Sequence, residues 1–475
     1  MNETTNVETV EIKEENKKQE NPLGTEKISK LIKKFAIPCI ISLVVSSLYN
    51  IVDQIFIGQG VGYLGNAATN IVFPFTVISM AFSLMIGDGA SAYLSLSLGK
   101  KDEESAKKGV ANGIVASAIL GIVFLIIGLV FRDGLLKIFG VTESSYEYSK
   151  IYMTYIVLGM PFFMITNSLN SVIRADGSPE YAMKTMIVGA VLNIILDPVA
   201  IFILDMGVKG AAIATVIGQF VSGVMSVLYI RKFKSVKITK QDLHVDFKTL
   251  KKVCSLGISS FITQIAMTFV LIVMNQTLAK YGAESKFGEE IPLSALGIVM
   301  KVNQIVNSVV IGLAAGAQPI IGFNFGAKKY DRVLKTYGFA VKVSLCITAV
   351  GTLIFQLCPQ VIINLFGQEN KLYNEFAKLC FRIFIMFVVL NSFQITSGIF
   401  FQAIGNPVKA AILSLSRQIG FLIPALVILP RFFGIYGALY AGPTADLLAF
   451  LLAVTLVILE VKKIKSFSKE NIEVK

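Results

Sequence analysis

The sequence predicts an all-α integral membrane protein with twelve transmembrane helices, and three observations support this fold class. The 475 residues are 54% hydrophobic and only 16% charged, which is more apolar than an ordinary soluble domain. The mean hydropathy is +0.69. Uncharged runs such as residues 114–131 are about as long as the segment needed to cross the hydrocarbon core of a bilayer.

A hydropathy window of about 19 residues divides the chain into membrane spans. We number these spans one to twelve in chain order, and they cover residues 35–57, 67–98, 110–131, 151–173, 185–204, 208–230, 254–279, 292–325, 336–357, 379–401, 410–430 and 435–459. Because twelve is an even number, both chain ends are expected on the same side of the membrane.

The segments outside the spans predict the orientation. Residues 1–30 are polar and lack apolar periodicity, so we expect a disordered tail, and residues 462–475 form a second tail. Loops on the side of the tails carry about twice as many Lys and Arg residues as loops on the other side. The positive-inside rule therefore predicts a multi-pass protein of the cell membrane with cytoplasmic termini and a cytoplasmic basic linker at residues 232–252. Since these loops explain the net charge of +13, no nucleic-acid partner is expected.

The chain also repeats itself once. GASAYLSLSLGKKD, which begins at Gly89, is similar to GAQPIIGFNFGAKKYD, which begins at Gly316. RADGSPEYA pairs in the same way with QAIGNPVKA, and GVKGAAIA pairs with GIYGALYA, at nearly the same spacing. Six spans in each copy predict two bundles of the same orientation, at residues 31–231 and 253–461, with a cargo cleft between them.

Five motifs in order carry a family resemblance. YNIVDQIFIG, GDGASAYLSLSLG, RADGSP, NIILDP and GVKGAAIAT resemble the MATE (multidrug and toxic compound extrusion) family, most closely its MepA-like bacterial branch. The resemblance implies a V-shaped pair of six-helix bundles. It also implies an antiporter that expels organic cations, such as antibiotics and dyes, while protons or sodium ions enter.

Carboxylates inside the spans are the candidate functional residues. A charge at mid-bilayer costs about 2.5–3.5 kcal/mol on insertion scales and is seldom retained for packing alone. In span one, Asn50, Asp53 and Gln54 lie on one polar helical stripe. In span five, Asn193 and Asp197 are four residues apart and share a face, and Pro198 removes a backbone donor beside the carboxylate.

The depths of these residues agree with one another. At about 1.5 Å per residue, Asp53 lies ~8 Å from the external end of its span, Asp197 ~12 Å and Thr215 in span six ~11 Å. The resemblance implies that Asp53, Asn193, Asp197 and Thr215 form one ion or proton site in the N-terminal bundle. Two carboxylates close together in a low dielectric cannot both stay ionised cheaply, so a proton or cation is expected between them.

Further expectations concern the ligands and the oligomeric state. The substrate is expected to contact Asn50, Asp53, Gln54 and Asp197. If sodium is the coupling ion, its ligands are expected to be the same four residues as the proton site, whose oxygens suit either ion. We expect no cofactor beyond the coupling ion, and we expect a monomer in the bilayer.

The sequence leaves the roles of several intramembrane residues undecided. Asp88, between two glycines, is either a kink residue or a functional one. In the C-terminal half Ile423 precedes Pro424 where Asp197 precedes Pro198, so ion coupling is assigned to the N-terminal half. The remaining charged candidates either pair with one another or extend to an interface, and they are Lys301, Lys342, Arg417 and Asp446.

The sequence also bears on functions other than export, namely catalysis, ATP-driven transport and lipid flipping. An enzyme is not expected, because the sequence lacks a Ser/His/Asp set and a metal-binding cluster, and its one histidine, His244, lies in a basic loop. No phosphate-binding loop for ATP occurs. The alternative is a flippase for a lipid-linked oligosaccharide or another lipid, because that group has a related fold and intramembrane cations would suit an anionic headgroup.

Overall fold

The computed structural model describes residues 21–365 and 371–473, and this part of the chain is helical without any strand. The helices of the N-terminal half are α1 (Ile28–Gly60), α2 (Tyr63–Gly99), α3 (Glu103–Val130), α4 (Arg132–Ile138), α5 (Tyr146–Ala175), α6 (Pro179–Pro198) and α7 (Gly207–Tyr229). Those of the C-terminal half are α8 (Phe247–Ala283), α9 (Glu290–Gly326), α10 (Tyr330–Leu357), α11 (Pro359–Leu365), α12 (Lys371–Leu379), α13 (Val388–Ala403), α14 (Pro407–Leu415), α15 (Ile423–Phe433) and α16 (Ile435–Glu473).

The predicted number of spans is confirmed. Within the described residues, eleven helical segments are long and apolar enough to cross a membrane. A twelfth span is broken, because the segment Lys371–Phe384 and helix α13 meet at an angle of 50°. The protein is therefore an all-α, multi-pass membrane protein.

The internal repeat is visible in the order of the helices. The short helix α4 follows the third span of the first half, and the equally short α11 follows the third span of the second half. Both halves also contain a π-helical segment beside a proline of their fifth span, Val199–Ile203 after Pro198 and Ser416–Leu422 before Pro424. A wider helical turn at these places fits the loss of a backbone donor at proline.

The two halves pack tightly at one end of the molecule. This end, where α1 and α8 begin and α2 and α9 finish, carries both chain ends, and we call it the terminal side; the opposite end is the distal side. Here α1 packs against α9, and α2 packs against α8. A Cβ atom at Gly257 would overlap the carbonyl oxygen of Met85 in the other half, so only glycine permits this approach.

The contact between the halves gives way to a cleft toward the distal side. Ser47 in α1 and Ser308 in α9 form one of the hydrogen bonds between the halves, at 2.9 Å. Further toward the distal side, on the same faces of these helices, Asn50 and Lys301 are exposed. The cleft is therefore closed on the terminal side and opens on the distal side.

The predicted disordered tail differs from the structure over its last residues. Residues 1–20 lie outside the described part, but Pro22–Gly24 form a 3₁₀ turn and α1 already begins at Ile28. The carbonyl of Leu23 accepts hydrogen bonds from Asn324 and Arg332 of the C-terminal half. The polar composition misled here because the segment is ordered by contacts with a distant part of the chain.

The linker between the halves runs over the terminal side from residue 230 to the start of α8. Asp242 holds it against the N-terminal half through an ion pair with Lys107, at 2.8 Å. Within the linker, the Asp242 carboxylate also accepts hydrogen bonds from the Thr239 backbone amide and hydroxyl. The hydrogen bond from Lys107 is the main reason that the pKa of the Asp242 carboxyl falls to about 2. This attachment therefore persists throughout the physiological pH range.

Candidate functional site

Three helices of the N-terminal half bring the predicted acidic residues together. Helix α6 packs against both α1 and α7, and α1 also touches α7. Small residues on α7, including Ala211, Ala212 and Ala214, are buried and allow close packing of these helices. The three spans that sequence alone could not place side by side are therefore neighbours.

The side chains of Asp53 and Asp197 are in hydrogen-bonding contact. The Asn193 amide donates 3.2 Å bonds to Asp197 Oδ1 and to Thr215 Oγ1. Asp197 and Asn193 are 0% and 2% exposed. The structure thus brings together all four residues that were predicted to form the site.

The cluster has more acceptor oxygens than donors. Asp53 Oδ1, Asp197 Oδ2 and Asn193 Oδ1 are buried and accept no hydrogen bond from the described residues. Two ionised carboxylates are both acceptors, so their contact requires a proton or a cation between them. Buried oxygens without donors are also the ligands that a hard cation such as sodium prefers.

The two carboxylates have no basic partner. No salt bridge to Asp53 or Asp197 forms within residues 21–365 and 371–473, and no group of three or more His, Cys, Asp or Glu side chains there could hold a metal ion. Thr215 and Asn193 are the neutral polar groups of the cluster. Among the described residues, no cationic side chain balances the charge that the pair carries when it is ionised.

Two tyrosines beside the acidic pair were not predicted. The Tyr49 and Tyr152 side chains lie close enough to Asp53 and Asp197 to interact with them electrostatically. Tyr49 lies four residues before Asp53 and so shares its helix face, which is a signal that the sequence does contain. Tyr152 belongs to α5, and nothing in its local sequence points to the site.

The backbone next to the pair departs from α-helical geometry. After Pro198 the chain continues as the π-helical segment Val199–Ile203, with the Leu204 amide bonded to the Val199 carbonyl at 2.9 Å. This segment lies directly after Asp197. A π-helical turn allows the helix to change its register more easily than a regular α-helical turn.

The residues predicted to bind substrate differ in how accessible they are. Asn50 is exposed and Gln54 is half-buried, and both lie on the face of α1 that continues from Ser47 into the cleft. Asp53 is half-buried, whereas Asp197 is inaccessible. A cargo in the cleft can therefore meet α1 directly but reaches Asp197 only after a rearrangement.

The charged residues of the C-terminal half are arranged differently. Arg417 Nη2 lies 2.8 Å from Asp446 Oδ1, and Nε donates to the same oxygen. The Asp446 side chain is buried, so this is an internal ion pair. Lys301 and Lys342 are exposed, and neither has a carboxylate within 4 Å in the part of the chain that the structure describes.

Asp88 joins the two halves on the terminal side. Its Oδ1 accepts a 2.7 Å hydrogen bond from Ser171 in α5, and its Oδ2 accepts one of 2.7 Å from Ser260 in α8. Arg174 Nη2 lies 3.9 Å from the carboxylate. Asp88 is therefore neither a simple kink residue nor part of the acidic site, because it bonds across the closed end of the cleft.

Two duplicated six-span bundles with a cleft between them and a buried acidic cluster in one bundle are an arrangement typical of membrane transporters. The MatE family model matches residues 38–199 and 259–428. The chain therefore belongs to the MATE family of multidrug efflux transporters, and the predicted resemblance is confirmed.

The relatives agree with this assignment. The chain is 27% identical over 455 residues to the multidrug export protein MepA of Staphylococcus aureus strain NCTC 8325 / PS 47, covering 94% of this chain and 97% of that protein. It is 26% identical over 435 residues to the MepA protein of Staphylococcus haemolyticus, covering 90% and 93%. The chain is thus similar to MepA proteins over nearly its whole length.

Solved structures show the same fold. One is described as the outward-facing conformation of a multidrug resistance MATE family transporter of the MOP superfamily, with a TM-score of 0.86, 24% identity and coverage of 94% of this chain and 98% of that chain. A second, a MOP superfamily transporter from Pyrococcus furiosus, has a TM-score of 0.85, 24% identity and the same coverage. That transporter is described as having a binding pocket of reverse polarity, which suggests a different function for it.

Proposed function

We propose that this protein is a cation-coupled antiporter that exports amphipathic organic cations from the cell. The observation that supports this proposal most strongly is the buried contact between Asp53 and Asp197, with three acceptor oxygens that receive no donor. Such a pair is costly to keep in the membrane unless an ion occupies it during the transport cycle. The name of the MepA relatives, multidrug export protein, supports drugs as the cargo class.

The helix α1 is the element that would connect ion binding with cargo binding. It carries Asp53 toward α6 and, on the face that continues from Ser47, Asn50 and Gln54 toward the cleft. A proton or sodium ion that enters between Asp53 and Asp197 removes the repulsion between them and draws α1 toward α6. The cleft-facing side chains of α1 move with it, and the cargo loses its contacts.

Charge also explains the choice of cargo. With Asp53 ionised, the N-terminal side of the cleft attracts a cation whose apolar body can lie on aromatic side chains. The arriving ion neutralises that charge, so the cation is released toward the distal side. Ion and cargo would therefore compete for one negative charge, which is the condition for exchange rather than joint transport.

The same distribution of charge supports an orientation. The basic loops lie on the terminal side, so we propose that both termini are cytoplasmic in the cell membrane and that the protein works as a monomer. The described cleft then faces outward, which is the state in which the coupling ion enters.

A second candidate is a flippase for an anionic lipid-linked molecule, and one observation favours it. Lys301 lies on the same face of α9 as Ser308, is exposed toward the cleft, and has no carboxylate partner among the described residues. A free ammonium group there would bind an anionic headgroup. It would disfavour a cation at the same position.

Transport by purified protein in lipid vesicles distinguishes the two candidates. We expect an imposed proton or sodium gradient to drive a fluorescent cationic dye against its own gradient, and Lys301→Gln to retain this activity. Gradient-independent movement of an anionic lipid, abolished in Lys301→Gln, together with no dye movement, would support the flippase instead.

A further inference from the structure

A cavity of about 340 Å³ lies on the terminal side of the N-terminal half, away from the cleft. Its walls come from the start of α1, the start of α6 and the linker that follows α7. Four lysines and two tyrosines line it, namely Lys34, Lys184, Lys232, Lys234, Tyr181 and Tyr229. Neither the acidic site nor the transport cycle makes use of this cavity.

The cavity has a large excess of positive charge. Glu180 is the acidic residue in its lining, against the four lysines. None of these five side chains forms a salt bridge with a residue in the described ranges. Four lysines around one concave surface, against the single lining carboxylate of Glu180, favour an anion with several oxygen acceptors, such as a phosphate.

The cavity is held open by buried hydrogen bonds. The carboxylate of Asp176, which is 4% exposed, accepts bonds from the Tyr229 hydroxyl at 2.6 Å and from the backbone amides of Lys234 and Ser235 at 2.9 and 2.8 Å. Tyr229 also packs on Tyr181, with ring centroids 4.8 Å apart. Lys232 and Lys234 are therefore positioned by a fixed turn rather than by a free loop.

An apolar surface continues from the cavity toward the membrane centre. On α1, Ile37 and Ile41 lie three and seven residues after Lys34 on the same face, and they are 51% and 39% exposed. On α6, Ile195 is 55% exposed and lies eleven residues after Lys184, again on the same face. Charge at the end of a helix followed by exposed aliphatic side chains matches an amphiphile with an anionic head and an acyl chain.

We propose that this cavity binds the phosphate headgroup of an anionic phospholipid from the leaflet on the terminal side, with an acyl chain along α1 and α6. The exposed isoleucines face the bilayer, so a lipid headgroup bound at the lysines can lay its acyl chain on them, whereas a soluble phosphate compound uses the lysines alone. Under the proposed orientation this leaflet is the cytoplasmic one, where anionic lipids attract basic segments. Helices α1 and α6 also carry Asp53 and Asp197, so the lipid would hold together the two helices of the acidic pair.

Lipid binding to the purified full-length protein tests the proposal. Titration with phosphatidylglycerol, with phosphatidylcholine as the neutral probe, should show tighter binding of the anionic lipid. We expect Lys184→Gln and Lys234→Gln each to weaken phosphatidylglycerol binding about five-fold, since a lysine near an anionic surface contributes on that order. The matched control is Lys248→Gln with Lys251→Gln, two exposed lysines on the same side of the protein but outside the cavity.

Two outcomes would overturn the proposal. An equal loss of affinity in the control variant would mean that the protein attracts anionic lipid only through its general positive charge. Glycerol phosphate that displaces the lipid at equal concentration would mean that the apolar surface adds nothing and that the ligand is a soluble phosphate. Lys34 and Lys184 are both exposed, so single changes at either position test the site without depending on a multiply substituted protein.

Discussion

The two halves of the protein share a fifth span with a π-helical segment beside a proline, but only the first half has a carboxylate directly before that proline. Asp197 precedes Pro198 in the first half, whereas Ile423 precedes Pro424 in the second. The second half has its own buried carboxylate, Asp446, but an arginine neutralises it. The duplicated architecture therefore carries two kinds of charge site, one balanced within the protein and one, the acidic pair, without a basic partner among the described residues.

This difference separates a structural charge from a functional one. A buried ion pair is costly to form but strongly destabilising to break, because the remaining charge has no partner. An acidic pair without a basic partner is costly inside a membrane, and such residues typically mark a pathway for an ion or a substrate. Neutralising each kind of site should accordingly affect different properties of the protein.

The largest expected effect is on export, after neutralisation of the first site. Asp197→Asn keeps the size and polarity of the side chain but cannot cycle between charged and neutral states. We expect gradient-driven dye transport to fall to the level of protein-free vesicles, with unchanged unfolding in detergent. Asp53→Asn should behave in the same way, and full transport in either variant would remove that residue from the mechanism.

The second prediction concerns the stability of the protein and the ion pair between Arg417 and Asp446 in the C-terminal half. Asp446→Asn removes the buried partner of the half-buried Arg417, so we expect a loss of roughly 3–5 kcal/mol in the free energy of unfolding. Replacing both residues by apolar ones, as Arg417→Met with Asp446→Leu, should recover most of this loss. Denaturant unfolding in detergent measures both. A stable Asp446→Asn protein that has lost transport would show instead that the C-terminal pair takes part in the cycle.

A smaller effect is expected at the closed end of the cleft. Ser260→Ala removes a hydrogen bond to the Asp88 carboxylate across the two halves, which contributes on the order of 1.5–3 kcal/mol. Distances between labels on the terminal side should show a larger population of the open form. Thr263→Ala is the matched control, because its hydroxyl bonds to the Ser259 carbonyl of its own helix. An equal shift in both variants would argue that the Asp88–Ser260 hydrogen bond does not stabilise the closed end of the cleft.

Much of the fold was predictable because the membrane imposes a simple rule on composition. All twelve spans were found from apolar length, but their ends were not; span one was predicted at residues 35–57 and α1 covers Ile28–Gly60. Helices continue beyond the hydrocarbon into polar surroundings, where hydropathy gives no signal. The 50° break in span ten was also missed, because no proline or glycine lies between Phe384 and Val388.

The sequence predicted which residues of the candidate site lie on each helix, but not which helices contact one another. Asp53, Asn193, Asp197 and Thr215 were identified because polar residues are rare in apolar spans, and similarity to a family supplied their grouping. Tyr152 was not found, because it reaches the site through packing of a helix whose sequence is unremarkable there. The contact of Asp88 with Ser260 joins residues 172 positions apart, and no local pattern reports such a distance.

The central claim is that cargo and coupling ion compete for the charge of the acidic pair. The most direct test is the dissociation constant of a cationic dye, measured over roughly pH 5 to 9 and over a range of sodium concentrations, on wild type and Asp53→Asn. Lower pH protonates carboxylates and removes their charge, so wild-type affinity should fall as pH falls or as sodium rises, and this dependence should be lost in Asp53→Asn. Wild-type affinity that is constant in both titrations, or an unchanged dependence in Asp53→Asn, would contradict the claim.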